Sequence, residues 1–231
     1  VLGDEHPDTL TSISNMDFLL QGQGKLAEAE PYAREALEIR RRVLGDLDPD
    51  TLLSISNMCT VIMFQGRLDE AEPYCREALQ KRRQVMGDDH GDTVVSINIL
   101  AYMLEMQGKL DEAMPLRHEA VEKSRRVLGE EHPDTQVAVS NMGYLLKKLG
   151  RLAEAEPYYR EAFETFTRVL GKQHPYSLTS TSNLGAVVVA RGRYAEAIDL
   201  LAPVEPAMRA TFTGDNARVL ARFLLSLGSA R

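Results

Sequence analysis

The chain repeats itself every 42 residues, without insertion, over most of its length. The motif Val-Leu-Gly, with methionine once in place of leucine, marks each step and begins at Val1, Val43, Val85, Val127 and Val169. A fixed period of this size is typical of solenoids, in which each repeat is one supersecondary unit. Such a unit buries its hydrophobic face only by stacking on its neighbours.

Two glycines divide each repeat. They recur in two sets, Gly3, Gly45, Gly87, Gly129, Gly171 and Gly24, Gly66, Gly108, Gly150, Gly192. Glycine commonly follows a helix because it adopts left-handed dihedral angles without steric cost. Each repeat is therefore predicted to consist of a helix, a turn, a second helix and a second turn.

Proline begins the first helix of several repeats, as at Pro7, Pro49 and Pro133. At the first helical position proline gives up only an amide that has no partner there. Gly91 stands in this place in the third repeat, and we expect a looser start of the helix.

Apolar residues recur at helical spacing in the second half of each repeat, for example at Leu26, Ala29, Ala33 and Leu37. The pattern predicts an all-α fold, a right-handed α-solenoid of antiparallel helix pairs that forms a single domain over residues 1–231. The predicted units are 7–44, 49–86, 91–128, 133–170 and 175–210, and the predicted closing helix is 216–227.

The formal net charge of −7 makes nucleic acid and anionic membranes poor partners, so we expect neither. No apolar run approaches the roughly 18 residues that a membrane span needs. Two cysteines, Cys59 and Cys75, are too few for a disulfide framework, so we expect packed, reduced thiols in a cytoplasmic protein. Because the sequence starts at Val1 rather than methionine, we expect a fragment, in which any N-terminal targeting signal of the whole protein would not be visible.

Small residues occupy two repeating positions. The second helix has Ala29, Ala71, Ala113, Ala155 and Ala197, and the first helix has Cys59, Ala101, Gly143 and Gly185, with Asp17 as a departure. Residues 24–32 read Gly-Lys-Leu-Ala-Glu-Ala-Glu-Pro-Tyr. In these positions the chain resembles the tetratricopeptide repeat, in the long form found in kinesin light chains, over essentially its whole length.

The fifth repeat departs from this pattern. A second alanine follows the first by seven residues in four repeats, whereas the fifth has Val204, and the spacing to the next glycine grows by one residue. We expect altered packing of the second helix in this repeat.

The resemblance implies that the first helices line a concave groove and that the second helices form the convex back. Three rows of groove positions follow. They are Ser14, Ser56, Asn98, Ser140 and Ser182, then Asn15, Asn57, Ile99, Asn141 and Asn183, then Phe18, Thr60, Tyr102, Tyr144 and Ala186.

The resemblance also implies that the asparagine row bonds the backbone of a bound peptide, since an amide both donates and accepts. The alternative is that these amides bond the neighbouring helix, and the two roles are compatible. The rings of Phe18, Tyr102 and Tyr144 either supply apolar pockets or belong partly to the core. Lys147 and Lys148 either meet an acidic ligand residue or, as we favour, form a solvated helix end.

No residue pattern predicts catalysis, a metal site or a cofactor. The histidines at helix starts, His6, His90, His132 and His174, are one to a repeat and too dispersed for a metal site, so we assign them structural roles. A phosphate-binding loop and a paired nucleophile are also lacking from the sequence. Arginines that end successive second helices are favourable at that end of a helix and do not by themselves predict a nucleic-acid site.

We therefore expect a non-enzymatic scaffold that binds a protein ligand, either an extended peptide or a partner helix, in its concave groove. The alternative is the regulatory or oligomerising arm of a larger enzyme or signalling protein, and end-to-end self-association is a further partner mode. Because the third repeat has Ile99 where four others have asparagine, we expect a peptide to be held by amides on both sides of an apolar contact.

Overall fold

A computed structural model of the chain describes residues 3, 5–214 and 217–230. Every element of regular structure in these ranges is a helix. Two features of the sequence fall outside them, Val1-Leu2 of the first repeat motif and Asn216 at the predicted start of the closing helix. None of the described helices is both long enough and apolar enough to cross a membrane.

The chain divides into two compact units, Val1–Ala120 and Val121–Arg231. The helices of the first unit are α1 (Pro7–Gly22), α2 (Leu26–Val43), α3 (Pro49–Phe64), α4 (Leu68–Met86), α5 (Gly91–Met106) and the first part of α6 (Leu110–Leu128). The second unit holds the end of α6, then α7 (Pro133–Lys148), α8 (Leu152–Leu170), α9 (Pro175–Ala190), α10 (Tyr194–Leu201), α11 (Glu205–Thr211) and α12 (Ala217–Ala230).

Each repeat contributes two helices, which we call first-type (α1, α3, α5, α7, α9 and α12) and second-type (α2, α4, α6, α8 and α10). In the first unit α2 packs against α1 and α3, and α4 packs against α3 and α5. In the second unit α8 packs against α7 and α9, and α10 against α9 and α12. The predicted all-α class of stacked helix pairs is confirmed, and the single domain stays a prediction.

A side chain caps the start of the first-type helices α1, α3, α5, α7 and α9. The Nδ1 atom of His6 accepts a hydrogen bond from the backbone amide of Asp8 at 3.2 Å. The same bond recurs at His90, His132 and His174, and the carboxylate of Asp48 makes it before α3. Such a cap satisfies an amide that has no partner within the helix. The structural role predicted for the four histidines is confirmed.

The looser start expected at Gly91 is wrong. His90 caps α5 with the same 3.2 Å bond as in the other repeats. Thr93 Oγ1 also donates to the backbone oxygen of Gly87 at 2.8 Å, as Thr135 does to Gly129 at 2.7 Å. The cap and the threonine therefore fix the start of this helix without the proline.

A small residue on the first-type helix meets a larger one on the second-type helix of the same repeat. A Cβ added to Gly185 would lie 2.5 Å from Leu201 Cδ2 and 2.8 Å from Leu201 Cγ, and one added to Gly143 would lie 3.3 Å from the Tyr159 ring. Leu201 is completely buried and Tyr159 nearly so. The glycines therefore allow close contact between the two helices of a pair.

The same two positions of the second repeat hold a disulfide between Cys59 and Cys75, whose Cα atoms are 5.2 Å apart. Both residues are buried, as expected, but the expectation of reduced thiols is wrong. The helix pair brings these two positions within bonding distance, a contact that the number of cysteines does not predict. The cytoplasmic location loses this support and stays a prediction.

Asp17, the departure in this row, is also buried, at 1% exposure. Gln21 Nε2 donates to its Oδ1 at 2.8 Å, four residues along α1. Burial raises the pKa of the carboxyl, and the bond from Gln21 partly offsets that effect. A buried carboxyl of this kind lowers stability when it is ionised.

A glutamate near the start of a second-type helix connects successive repeats. Glu72 Oε2 accepts from Lys109 Nζ at 2.7 Å and from Gln107 Nε2 at 3.0 Å, both in the turn after α5. Glu30 accepts from Gln65 and Arg67 in the equivalent way. Glu72 and Glu30 are only 18% and 17% exposed, whereas Lys109 and Arg67 are 40% and 37% exposed, so solvent partly screens these contacts.

Glu156 makes the corresponding contacts in the second unit, with Arg191 and Arg193 after α9. The hydrogen bond from Arg193 lowers the pKa of Glu156 to about 2, with further bonds from Arg160 and Arg191. The bond from Lys109 lowers the pKa of Glu72 to about 2 in the first unit, assisted by Arg76 and Gln107. The carboxylates therefore stabilise the stack in their ionised form.

The altered second helix expected in the fifth repeat is confirmed. α10 ends at Leu201, and the 3-10 turn Ala202–Val204 separates it from α11. Pro203 and Pro206 lie at the start of these two segments, where their missing amides interrupt a continuous helix. A hydrophobic cluster still closes this end of the second unit, and it contains Leu178, Leu201, Met208, Phe212, Phe223 and Leu227.

Gly185→Ala is expected to destabilise the second unit by about 1–3 kcal/mol, because the new methyl group has no room beside buried Leu201. Urea unfolding measures the change. Gly228→Ala is the matched control, since no atom lies within 4 Å of its added Cβ, and it gains up to about 1 kcal/mol of helix propensity. Equal effects of the two substitutions would contradict the close packing at Gly185.

Glu72→Gln is expected to lower the free energy of unfolding by about 1–2 kcal/mol at neutral pH, because its partners Lys109 and Arg76 are 40% and 48% exposed and solvent screens part of the interaction. Because the folded-state pKa lies below the unfolded value, protonation favours the unfolded chain. The contribution is therefore complete above about pH 4.5 and disappears as the pH falls toward 2.

Urea unfolding at pH 7, 4 and 3 measures this difference between the two proteins. Glu35→Gln is the control, because exposed Glu35 has no ion pair among the described residues and the substitution removes the same charge. A Glu72→Gln deficit that stays constant from pH 7 to pH 3 would show that the carboxylate does not stabilise the stack through its charge.

Candidate functional site

The predicted groove positions of the first unit lie on a partly exposed side of its first-type helices. Asn15 is exposed, Asn57 and Ile99 are half-buried, and Ser56 is buried. Ser56 Oγ donates to the backbone oxygen of Leu52 at 3.1 Å and is used within its own helix. The amide of Asn57 makes no side-chain hydrogen bond to any described residue, so its donor and acceptor are both available to a ligand.

Asn98 is held by an ion pair inside the first unit. Arg117 Nε donates to Glu105 Oε1 at 2.6 Å, and Arg117 Nη1 donates to Asn98 Oδ1 at 2.9 Å. Arg117 and Glu105 are only 2% and 1% exposed. Asn98 Nδ2 also donates to the backbone oxygen of Val94 at 3.2 Å. The amide predicted for the groove is therefore occupied by structural bonds.

The predicted aromatic row differs in exposure along the chain. Phe18 is 79% exposed in the first unit, whereas Tyr102 is about half as exposed. In the second unit Tyr144 is exposed to the same degree as Tyr102, and Lys148 Nζ lies 5.6 Å from the centre of its ring. A cation at that distance is attracted by the face of the ring. All three rings thus present surface that a ligand can cover.

Two amides face the corresponding side of the second unit. Asn141 is half-buried and makes no side-chain bond to a described residue. Asn183 Nδ2 donates to Ser140 Oγ at 3.4 Å, and its Oδ1 accepts from Arg222 Nη2 at 3.1 Å. Asn183 therefore bonds neighbouring helices, which is the alternative that the sequence left open, while Asn141 is free.

Positively charged side chains lie near Asn183, and they are not paired with a carboxylate of any described residue. Arg222 on α12 approaches half-buried Lys147 at the end of α7, and the pKa of Lys147 is lowered by burial and then by the charge of Arg222. Arg218 lies one turn before Arg222 on α12. Lys147, Arg218 and Arg222 have no ion pair among the described residues. The positive charges of Lys147 and Arg222 repel each other, and an anion bound between them would offset that repulsion.

The proximity of Lys147 and Arg222 was not predictable from the sequence, because the altered spacing of the last repeat obscures the position of α12. The buried ion pair was in principle detectable. Arg117 replaces the residue that is Cys75 or Tyr159 elsewhere, and Glu105 replaces Met63 or Lys147. Two opposite charges that break the repeat within one helix pair indicate a mutual contact.

No group of three or more metal-ligating side chains occurs in the part of the chain that the structure describes. Neither the groove positions nor the histidine caps bring a nucleophile together with a general base. What the two surfaces offer chemically is hydrogen bonding by amides, apolar contact by exposed rings and, in the second unit, positive charge.

Several solved structures share this fold. A kinesin light chain from Podosopora anserina with nearly identical TPR-like repeats is 22% identical, with a TM-score of 0.78, and the match covers 91% of this chain and 100% of that one. BtubC (BKLC) from P. vanneervenii is 23% identical with a TM-score of 0.74, over 89% of this chain and 82% of that one. At these identities the similarity shows the fold alone.

A Rap protein complexed with Competence and Sporulation Factor is also similar in fold. It is 17% identical with a TM-score of 0.66, and the match covers 97% of this chain and 61% of that protein. No curated protein sequence matches the chain.

Two family models match the sequence, and both describe the tetratricopeptide repeat. One matches residues 50–116 and 135–202, and the other matches residues 9–50. Together they cover well over half of the chain, in agreement with the 42-residue period and the stacked helix pairs. The chain belongs to the tetratricopeptide repeat family.

Proposed function

We propose that the chain is a non-enzymatic scaffold that binds an extended peptide segment of a partner protein along its first-type helices. The observation that carries this proposal is that each unit has free amides on its first-type helices, Asn15 and Asn57 in the first unit and Asn141 in the second. They occupy the same position of their repeats, and each can bond a peptide group whatever the ligand side chain.

The surroundings of Asn57 and Asn141 support the same function. Tyr102 lies in the repeat after Asn57, and Tyr144 lies one turn after Asn141, each with an exposed ring that can cover an apolar ligand side chain. The Rap protein of the same fold is complexed with Competence and Sporulation Factor, which supports ligand binding as a function of this fold.

The second unit further favours a peptide with an acidic residue. Lys147 and Arg222 carry positive charge beside Asn183, and neither has a carboxylate partner among the described residues. Most arginines of this unit are paired, for example Arg125 with Glu161 and Arg160 with Glu196. A ligand carboxylate would offset the repulsion between the two cations and accept charge-assisted hydrogen bonds from both.

Asn57→Ala and Asn141→Ala are each expected to weaken peptide binding roughly three- to tenfold. An amide bond to a peptide backbone contributes about 0.5–1.5 kcal/mol net. Calorimetric titration of a peptide selected by display against this protein measures the change. Gln84→Ala is the control, because it removes an exposed amide from a second-type helix. If both asparagine variants keep the same melting temperature and the same affinity for the peptide, the binding surface does not lie on the first-type helices.

Lys147→Glu and Arg222→Glu are each expected to weaken binding of an acidic selected peptide at least tenfold, since a hydrogen bond to a charged group contributes about 1.5–3 kcal/mol. Lys172→Glu changes the charge equally at an exposed turn and is expected to have little effect. The affinity should also fall with added salt in the unmodified protein. A peptide whose affinity responds equally to all three substitutions would indicate attraction by net charge and not a local site.

A further inference from the structure

The first-type helices inside the two units are each covered by the second-type helix that precedes them. α2 covers α3, α4 covers α5, and α8 covers α9. Met58 and Val61 of α3 are completely buried by this packing. The same positions of the other two helices, Leu100 and Met103 on α5 and Leu184 and Val187 on α9, are also buried.

The equivalent positions of α1 are exposed or half-buried. Met16 is 40% exposed and Leu19 is 53% exposed. Ile13 is half-buried, whereas its counterpart Ile55 is completely buried. α1 therefore presents to solvent an apolar face that the fold buries wherever it recurs within a unit. An exposed apolar face with this composition indicates an interaction surface.

Polar contacts surround the covered face and identify what covers it. Arg40 Nη1 donates to Ser54 Oγ at 2.6 Å from α2 to α3, and Arg82 Nη1 donates to Ser96 Oγ at 2.7 Å from α4 to α5. On α1 the corresponding serine, Ser12, is exposed.

The other end of the face shows the same difference. Gln65 and Arg67, in the turn after α3, both donate to Glu30 of α2. Gln23 and Lys25 hold these positions after α1, and both are exposed without a side-chain bond to a described residue. A helix packed on α1 could therefore donate a hydrogen bond to the Ser12 hydroxyl at one end. At the other end it could accept hydrogen bonds from Gln23 and from the cationic Lys25.

We propose that this face of α1, made of Ser12, Ile13, Met16, Leu19, Gln23 and Lys25, docks an amphipathic helix with the surface pattern of α2 and α4. The pattern begins with adjacent alanine and glutamate. A leucine follows seven residues after the glutamate, and an arginine follows three residues after the leucine. In α2 these residues are Ala29, Glu30, Leu37 and Arg40. The glutamate would meet Lys25 and Gln23, and the arginine would meet Ser12. The surface is separate from the peptide-binding amides.

A second copy of this chain does not supply the partner helix. α2, α4, α8 and α10 each already pack against the first-type helix that follows them, α3, α5, α9 and α12. Their patterned faces are therefore used in the folded protein. The partner is therefore an amphipathic helix that carries the same pattern and is not already packed in this fold.

The test uses a fluorescent peptide with the sequence of residues 25–44, added to the whole protein and followed by anisotropy. We expect binding that Leu19→Glu weakens at least tenfold. Phe18→Glu is the matched control, because Phe18 is adjacent and more exposed but lies in the predicted groove row. A peptide with Glu30→Lys should bind at least fivefold more weakly. Equal effects of Leu19→Glu and Phe18→Glu would overturn the proposal.

A second measurement removes the dependence on the helicity of a free peptide, which is marginal at this length. Because Val1-Leu2-Gly3 matches Val43-Leu44-Gly45, residues 25–42 can be joined ahead of Val1 in phase with the repeat. The extended protein should melt about 3–10 °C higher, and Leu19→Glu should abolish the gain while Phe18→Glu should not.

Three results would overturn the proposal. The first is an extended protein with no gain in Tm, and the second is a gain that survives Leu19→Glu. The third is self-association of the unextended protein, seen by sedimentation and abolished by Leu19→Glu, which would make a second copy the occupant of this face.

Discussion

The structure depends on the burial of inner first-type helices, such as α3 and α9, between two second-type helices, because no single helix pair has enough partners to bury its own apolar surface. Met58 and Val61 of α3 are completely buried only because α2 precedes α3 in the stack. Glu72 and Glu156 add ionised contacts between successive repeats, with pKa values lowered to about 2. Within a repeat, close contact requires a small residue, as Gly185 shows against Leu201. Stability of such a chain is mainly a sum of terms between neighbouring repeats.

The same stacking determines which surfaces remain for binding. The faces that pair helices within the stack are buried, so on the inner first-type helices a ligand can reach only the side that no second-type helix covers. Asn57 and Asn141 lie there with free amides. Asn183 in the same row and Asn98 in the neighbouring row are bonded within the chain. Whether an amide is free or bonded depends on residues nearby that differ from one repeat to the next. Asn98 is held because Arg117 and Glu105 form a buried ion pair, and Asn183 is held by Arg222.

Periodicity made the fold predictable, since the 42-residue step determines helix lengths, turns and the class of architecture. It also predicted the structural role of His6 and the disturbance near Val204. Contacts between residues that break the repeat were not predictable in this way. The disulfide of Cys59 with Cys75 and the ion pair of Arg117 with Glu105 depend on distances within a helix pair. The approach of Arg222 to Lys147 depends on the altered spacing of the last repeat, and binding by the predicted site residues stays a prediction.

The most direct test of peptide binding by the free amides is a nuclear magnetic resonance titration that follows the asparagine side-chain NH₂ signals while a selected peptide is added. Binding along the first-type helices predicts that the signals of Asn57 and Asn141 shift with the peptide, because their amides exchange water for a ligand. The signal of Asn98 should move little, since Val94 and Arg117 already bond it. Saturable binding that shifts only signals of second-type helices, such as that of Gln80, and leaves Asn57 and Asn141 unchanged would contradict the account.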